Sequence, residues 1–169
     1  MAAMKPDTGD RRPETVRAVQ DHYPDDFSHC YGCGRLNAHG LHVRTWWEGD
    51  ETVSRVTPRP EHMAMPGFVY GGYIASVIDC HAMGTAAAAS ERAAGRDIGE
   101  QPSPRFVTAS LHVDYLKPTP LGPELEIRAR AVEVGERKVK VQATISANGV
   151  ITARSEALAV RMPASMGKA

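Results

Sequence analysis

Residues 71–90 read GGYIASVIDCHAMGTAAAAS, and this stretch decides the fold. Side chains suited to a buried face recur in it at helical spacing, at Ile74, Val77, Ile78, His81 and Ala82. Alanine, the strongest helix former, fills much of its second half. Small residues on all sides and few charges are typical of a helix that other structure encloses. We therefore predict one long central helix over Tyr73–Ser90, which starts after the glycine pair.

The segment before this helix predicts a short hairpin and then a loop. Apolar and more polar residues alternate over Leu41–Trp47, and Gly49-Asp50 offers a tight turn into a second strand over Thr52–Val56. The three prolines of Thr57–Gly67 suit neither a helix nor a central strand, so we expect an approach loop there.

Period-two alternation predicts four further strands after the helix. They cover Val107–Tyr115, Leu125–Ala131, Val139–Ile145 and Ile151–Val160, and we expect three antiparallel hairpin connections among them. Two strands, one buried helix and four strands make an α+β fold. The concave face of an antiparallel sheet of about six strands should cover the helix.

The two ends of the chain are expected to lie outside this domain. Residues 1–22 are polar and give little to bury, so we predict a flexible arm with a short helix around Glu14–Asp21. Tyr23–Gly40 is rich in turn-forming residues and should be loop. The single domain is predicted to span residues 23–162, followed by a C-terminal tail over residues 163–169.

Composition excludes several classes of partner. Twenty basic residues balance twenty acidic ones, so no net positive field exists to attract nucleic acid or an anionic membrane. No stretch approaches the ~18 uninterrupted apolar residues of a membrane span. Pro13 and Glu14 follow Arg11 and Arg12 where the apolar core of an export signal would lie. Three cysteines are an odd number and too few to form the disulfide framework of a small secreted domain. This favours reduced thiols and a cytoplasmic location.

Four motifs together resemble the PaaI-like branch of the hotdog-fold thioesterases, the phenylacetic-acid-degradation type. The first is Pro66-Gly67-Phe68-Val69-Tyr70-Gly71-Gly72, with Asp79 seven residues after the second glycine. The others are Cys30-Tyr31-Gly32-Cys33-Gly34 with Asn37 and Gly40-Leu41, the strand end Tyr115-Leu116-Lys117-Pro118-Thr119-Pro120-Leu121-Gly122, and His62 in the approach loop. The resemblance covers residues 27–162. It implies a single hotdog domain, a curved sheet wrapped around one helix.

The resemblance also implies an activity and a set of site residues. Members of the family hydrolyse acyl-CoA thioesters, with backbone N–H groups at the glycine pair holding the carbonyl and a helix carboxylate attacking it or activating water. Gly71, Gly72 and Asp79 match these positions, and Thr108 matches an assisting Ser or Thr on the next strand. Tyr70 stands where the family usually has His, and a phenol is a poor base because its pKa lies near ~10.

The residues themselves suit this chemistry. The start of a helix offers unpaired N–H groups and the positive end of the helix dipole to the oxyanion of a thioester undergoing hydrolysis. At a rise of 1.5 Å per residue, Asp79 would lie roughly 10 Å along the axis from Gly72. Asp79 of a second, antiparallel helix would reach that carbonyl, which predicts a two-fold homodimer, or a dimer of dimers, with composite sites. Asp79 would act as a nucleophile or as a general base on water.

Further residues are candidates for substrate contact. Tyr70, Val69 and His62 belong to the loop that leads into the helix, and Arg137 and Lys138 are part of a cationic group able to meet the phosphates of CoA. Each also has a plain structural interpretation, since strand faces often carry solvated charges and Thr108 is a good strand former. We expect an acyl-CoA ligand, no nucleic-acid or membrane partner, and no cofactor.

Three alternatives stay open at this point. A non-catalytic acyl-CoA- or lipid-binding protein is motivated by Tyr70 and by the loop Met63–Met65, which lacks the usual Asn or Gln. A hotdog dehydratase would require a helix His, for which only His81 is available. Cys30 and Cys33, near His29, His39 and His42, could bind zinc. A single Cys pair favours a structural glycine-rich loop instead, so we assign no metal ligand, and we interpret Cys80 as a small buried filler.

Overall fold

The computed structural model describes residues 12–100 and 102–167, and these form one antiparallel sheet around one long helix. The strands are β1 (Trp46–Glu48), β2 (Glu51–Val56), β3 (Phe106–Tyr115), β4 (Leu125–Val134), β5 (Lys138–Ala147) and β6 (Val150–Arg161). Helix α1 (Gly71–Ala93) lies between β2 and β3 in the sequence. The predicted α+β hotdog architecture, with six strands and one central helix, is confirmed. No helix in the described part of the chain is long and apolar enough to cross a membrane.

Helix α1 is longer than the prediction at both ends. It begins at Gly71, with Tyr70 as its extended N-terminal flanking residue, and continues three residues past Ser90. Glu91 stabilises the last turn of the helix, because its carboxylate is nearly buried and accepts two hydrogen bonds, of 2.9 and 3.0 Å, from the guanidinium of Arg96. Helix α1 packs on β3, β4 and β5, and its buried residues include the run Gly84–Ala89. The small side chains in this run let the sheet approach the helix closely.

The sheet order is β1-β2-β4-β5-β6-β3, with every neighbouring pair antiparallel. Hairpins join β1 to β2, β4 to β5 and β5 to β6, whereas the predicted hairpin between β3 and β4 is wrong. Strand β4 pairs with β2 on one side and β5 on the other, so no edge of β4 remains for β3. The loop with Pro118 and Pro120 carries the chain across the sheet, and β3 pairs with β6 at the far edge.

The first predicted strand forms only in part. Trp46 and Trp47 belong to β1, but residues 41–45 lie before it. The N–H of Leu41 donates to the carbonyl of Tyr31, and the N–H of Val43 donates to the carbonyl of Gly32. The backbone of this segment therefore bonds to the preceding glycine-rich loop. The alternation of apolar and polar residues alone does not show whether a segment bonds to a loop or to a neighbouring strand.

The predicted helix over Glu14–Asp21 is wrong, because only a single 3-10 turn, Val19–His22, forms there. Ala18, Val19 and Gln20 are buried. The Gln20 amide oxygen accepts a hydrogen bond of 2.8 Å from the backbone N–H of Thr45, and the N–H of Val19 donates to the carbonyl of Thr45 at 2.8 Å. Gly84 makes room for this contact, since a Cβ there would lie 2.7 Å from the Gln20 amide nitrogen. Residues 1–11 of the predicted arm, and residues 168–169 of the predicted tail, lie outside the described residues.

Candidate active site

The structure brings Asp79 of α1 and Thr108 of β3 together. The Thr108 hydroxyl donates a hydrogen bond of 2.5 Å to Asp79 Oδ1. The register of β3 against β6 shifts between Thr108 and Ser110, and such a bulge turns a side chain away from the regular pleat. Thr108 and Ser110 are exposed, while Asp79 is half-buried. The result is a carboxylate that is fixed on one side by a hydroxyl donor and reachable from the other.

The surroundings of Asp79 favour its protonated form. Burial raises the pKa of Asp79 above its usual range, and the negative charge of a Cys30 thiolate would raise it further. The hydrogen bond from Thr108 opposes both effects, because it stabilises the carboxylate. Asp79 is therefore more basic than an exposed aspartate.

The start of α1 has the features expected of an oxyanion-binding site. The N–H groups of Tyr73 and Ile74 donate to the carbonyl of Tyr70 at 3.0 and 3.3 Å. Within the described residues, the N–H groups of Gly71 and Gly72 have no hydrogen-bond acceptor in the protein. These two donors lie at the positive end of a helix of 23 residues, where an anionic oxygen is stabilised.

The two glycines also make room for two tyrosine rings. A Cβ on Gly72 would lie 2.3 Å from Tyr70 Cε1, and a Cβ on Gly71 would lie 3.4 Å from the ring of Tyr115. Tyr70 is 58% exposed, so its ring covers the first turn of α1 while its other face meets solvent. Tyr115 donates its hydroxyl hydrogen to the carbonyl of Gly71 at 2.8 Å. Sequence reasoning assigned Tyr115 only to a strand-end motif and missed this bond, which no local pattern encodes.

The other two candidates from the approach loop have structural partners. His62 Nδ1 accepts a hydrogen bond of 3.0 Å from the N–H of Arg59, and the imidazole stacks on the ring of Tyr73 at 4.2 Å. Val69 is buried in the core, and its N–H donates to the carbonyl of Thr119. His62 therefore fixes the approach loop to α1, and Val69 fixes it to the loop after β3. A contact of either residue with a substrate stays a prediction.

Arg137 and Lys138 lie at the turn between β4 and β5, away from the glycine pair. Both are exposed. Val139, next to Lys138, pairs with Ala159 of β6, and Ala159 also pairs with Thr108. The two cations are therefore at the same end of the sheet as Thr108 but two strands across from it.

A second polar cluster lies on another face of α1, inside the core. His81 is fully buried, with Nδ1 2.6 Å from the Ser54 hydroxyl and 3.2 Å from that of Thr45, and Nε2 3.3 Å from that of Thr52. Burial lowers the pKa of His81 to about 3, so the ring is neutral at pH 7. A dehydratase base must reach its substrate, and His81 is closed off from solvent.

These observations define a class of protein: a hotdog fold with an accessible carboxylate on its helix and two free N–H groups at the helix start. The family model of the thioesterase superfamily matches residues 66–153. The chain belongs to that superfamily.

Solved structures agree with this assignment. A thioesterase superfamily protein from Shewanella loihica PV-4 is 45% identical, covering 82% of this chain and 98% of its own, with a TM-score of 0.63. The PaaI protein of the Escherichia coli phenylacetic acid degradation operon is 14% identical over 73% of this chain and 81% of its own, with a TM-score of 0.58.

A protein from Streptococcus mutans UA159 bound to acetyl-CoA is 20% identical over 71% of this chain and 88% of its own, with a TM-score of 0.57. At such identities, the Escherichia coli and Streptococcus proteins share the fold. No curated protein matches this chain.

Proposed function

We propose that this protein hydrolyses acyl-CoA thioesters to the free acid and CoA, with Asp79 as the catalytic carboxylate. The observation that carries the proposal is the bond between the Thr108 hydroxyl and the half-buried Asp79 carboxylate. Both residues lie within the segment that the superfamily model matches. A positioned carboxylate of raised basicity can attack a thioester carbonyl or remove a proton from water. Thr108 would hold Asp79 in one orientation during either step.

The N–H groups of Gly71 and Gly72 would bind the thioester oxygen. Negative charge develops on this oxygen when the carbonyl carbon becomes tetrahedral, and preorganised N–H donors stabilise that charge. The Tyr115 hydroxyl, which bonds to the Gly71 carbonyl, would keep the first turn of α1 in place. The thiolate of CoA then leaves, and water supplies the oxygen of the free acid.

The active form would be a two-fold dimer, because one chain separates these two parts of the site. Strand β3 is ten residues long and ends the sheet, with its outer edge unpaired among the described strands. A long open edge invites pairing with another chain, so native proteins cover it or protect it by other means. Antiparallel pairing of two β3 edges about their midpoint would place Tyr115 of one copy opposite Phe106 of the other, two residues from Thr108. Gly71 of one copy would then approach Asp79 of its partner.

The CoA moiety is supported as a ligand by fold-level comparison. The Streptococcus mutans protein of this fold was solved with acetyl-CoA bound. Arg137 and Lys138 would meet the phosphates, because they lie at the end of the sheet near Thr108. The cytoplasmic location stays a prediction from the cysteine content.

A second candidate function is acyl-CoA binding without hydrolysis. The observation that favours it is Tyr70, whose ring covers the first turn of α1 where the family usually carries His. A ring in this position would narrow the approach of a thioester to the two N–H groups.

Thiol release from short, long and aromatic acyl-CoAs, by the wild-type protein and Asp79→Asn, tests the two functions together with ligand-induced thermal shifts. Hydrolysis requires turnover by the wild type and its loss in Asp79→Asn. Stabilisation by acyl-CoA without turnover in either protein would establish binding alone, and full turnover by Asp79→Asn would contradict the proposed site.

A further inference from the structure

The fold brings all three cysteines of the chain together. Cys30 and Cys33 lie in the glycine-rich loop before β1, and Cys80 lies in α1, 50 residues after Cys30. Their sulfur atoms all lie within 4.8 Å of one another. Sequence reasoning set zinc aside because Cys30 and Cys33 had no second pair nearby. The tertiary structure supplies the third thiol, so that argument no longer applies.

The spacing of the sulfur atoms fits a tetrahedral metal site. Zinc binds thiolates at about 2.3 Å, so two sulfur ligands at tetrahedral angles are about 3.8 Å apart. Cys30 Sγ and Cys80 Sγ are 3.7 Å apart. The Cys-X-X-Cys spacing of Cys30 and Cys33 is also that of zinc-binding turns.

The backbone around the cluster is shaped to hold these thiols. The backbone N–H groups of Gly32 and Cys33 lie on the side of the turn that faces the sulfur of Cys30. Polar groups outside the ligand set orient a metal ligand and stabilise its charged form. The N–H of Gly34 closes the turn on the carbonyl of Cys30 at 2.8 Å.

The glycines of this loop are required by close approach. A Cβ on Gly34 would lie 2.5 Å from the backbone nitrogen of Cys30, and one on Gly32 would lie 2.2 Å from Cys80 Sγ. Both contacts are closer than atoms tolerate. The absence of side chains at Gly32 and Gly34 therefore lets the loop press its two thiols against the helix at Cys80.

We propose that Cys30, Cys33 and Cys80 bind one zinc ion as three thiolates. In the described part of the chain, no His, Asp or Glu lies close enough to complete the cluster, so solvent or a small exogenous ligand would occupy the fourth position. Cys30 is exposed, which leaves a path for metal entry. The ion would join the loop before β1 to α1 one residue from Asp79. Zinc binding does not depend on the proposed hydrolysis.

Metal content and cobalt spectroscopy test this proposal. The full chain, free of any histidine tag and kept reduced, is dialysed against equimolar zinc and then against buffer, and zinc is measured by mass spectrometry. We expect one zinc per chain. Cobalt(II) in place of zinc should give thiolate-to-metal charge-transfer bands and the intense visible bands of a tetrahedral site.

Single substitutions identify the ligands. Cys33→Ser and Cys80→Ser should each weaken zinc binding by at least about tenfold, since even the loss of a hydrogen bond to a ligand costs that much. His29→Ala and His39→Ala are matched controls in the same loop and should keep full zinc content. Retained zinc in both cysteine variants would overturn the proposal, whether or not a histidine variant loses zinc.

A measurement on the wild type alone covers the case in which the cysteine variants fail to fold. Zinc should protect all three thiols from alkylation, and a chelator should expose them, as read from the intact mass. A wild-type protein that binds no zinc at equimolar concentration would overturn the proposal. A mass lower by two hydrogen atoms, without zinc, would show that two of the thiols are oxidised to a disulfide and would overturn the proposal.

Discussion

Helix α1 carries polar side chains on two faces, and the two faces use them in opposite ways. On the core face, His81 is fully buried, and both of its ring nitrogens lie near hydroxyl groups, those of Thr52 and Ser54 in β2 and that of Thr45 just before β1. On the face toward β3, Asp79 has one hydroxyl partner, Thr108, and is half-buried. A polar group whose partners are all internal contributes to one unique packing. A polar group with unused capacity can accept a bond from a ligand.

The largest expected difference between the two faces is in turnover. Asp79→Asn should lower kcat for acyl-CoA hydrolysis by at least about 100-fold, because the amide neither attacks nor accepts a proton. The melting temperature should hardly change, since burial already favours the neutral form of this side chain. Thiol-release kinetics and thermal unfolding measure the two effects. A large loss of stability would instead show that Asp79, like His81, has a structural role.

His81→Leu should have the reverse effect. It leaves the hydroxyl groups of Ser54, Thr45 and Thr52 without their ring partner in the core, which should lower the free energy of unfolding by about 2–4 kcal/mol. Any remaining folded protein should keep its turnover. Denaturant unfolding measures the loss, and His112→Leu on exposed β3 is the matched control, with a change within about 0.5 kcal/mol. Equal effects of the two substitutions would contradict the buried network.

Two threonine substitutions of equal size sharpen the comparison. Thr108→Val removes the donor to Asp79 and should lower kcat by about tenfold, with little change in stability. Thr45→Val, on the core side, should lower the free energy of unfolding by about 1–3 kcal/mol, because it removes a buried partner of Gln20 and His81. Parallel kinetics and unfolding of both variants separate the roles. A kcat unchanged in Thr108→Val would remove Thr108 from the site.

The smallest effect is expected at the start of the helix. Tyr115→Phe keeps the ring over Gly71 but loses the hydroxyl bond to its carbonyl, which should cost about 0.5–1.5 kcal/mol of stability. The rate should fall by less than in Thr108→Val, since Tyr115 acts only through the helix backbone. A loss of turnover as large as that of Asp79→Asn would instead make Tyr115 a direct contact of the substrate.

The sequence predicted those parts of the molecule that follow from local periodicity. The central helix, the number of strands after it and the pairing of Asp79 with a residue of the next strand came from spacing and from resemblance. The position of β3 did not, because alternation says which face is buried but not which strand lies alongside. The sequence does not predict the grouping of Cys80 with Cys30 and Cys33, because these residues are 50 and 47 positions away. Long-range contacts of this kind have no signature in a single chain.

Gly84 has a consequence for attempts to make this protein more heat-resistant. A glycine in the middle of a long helix is an obvious target, since alanine there usually raises stability by roughly 1 kcal/mol. In this chain, the Gln20 amide and the Thr45 hydroxyl occupy the space beside Gly84. A Cβ on residue 84 would lie 2.7 Å from the Gln20 amide nitrogen and 2.8 Å from the Thr45 hydroxyl oxygen. A consensus or propensity-based design would therefore displace the N-terminal segment from the core while improving the helix that it touches.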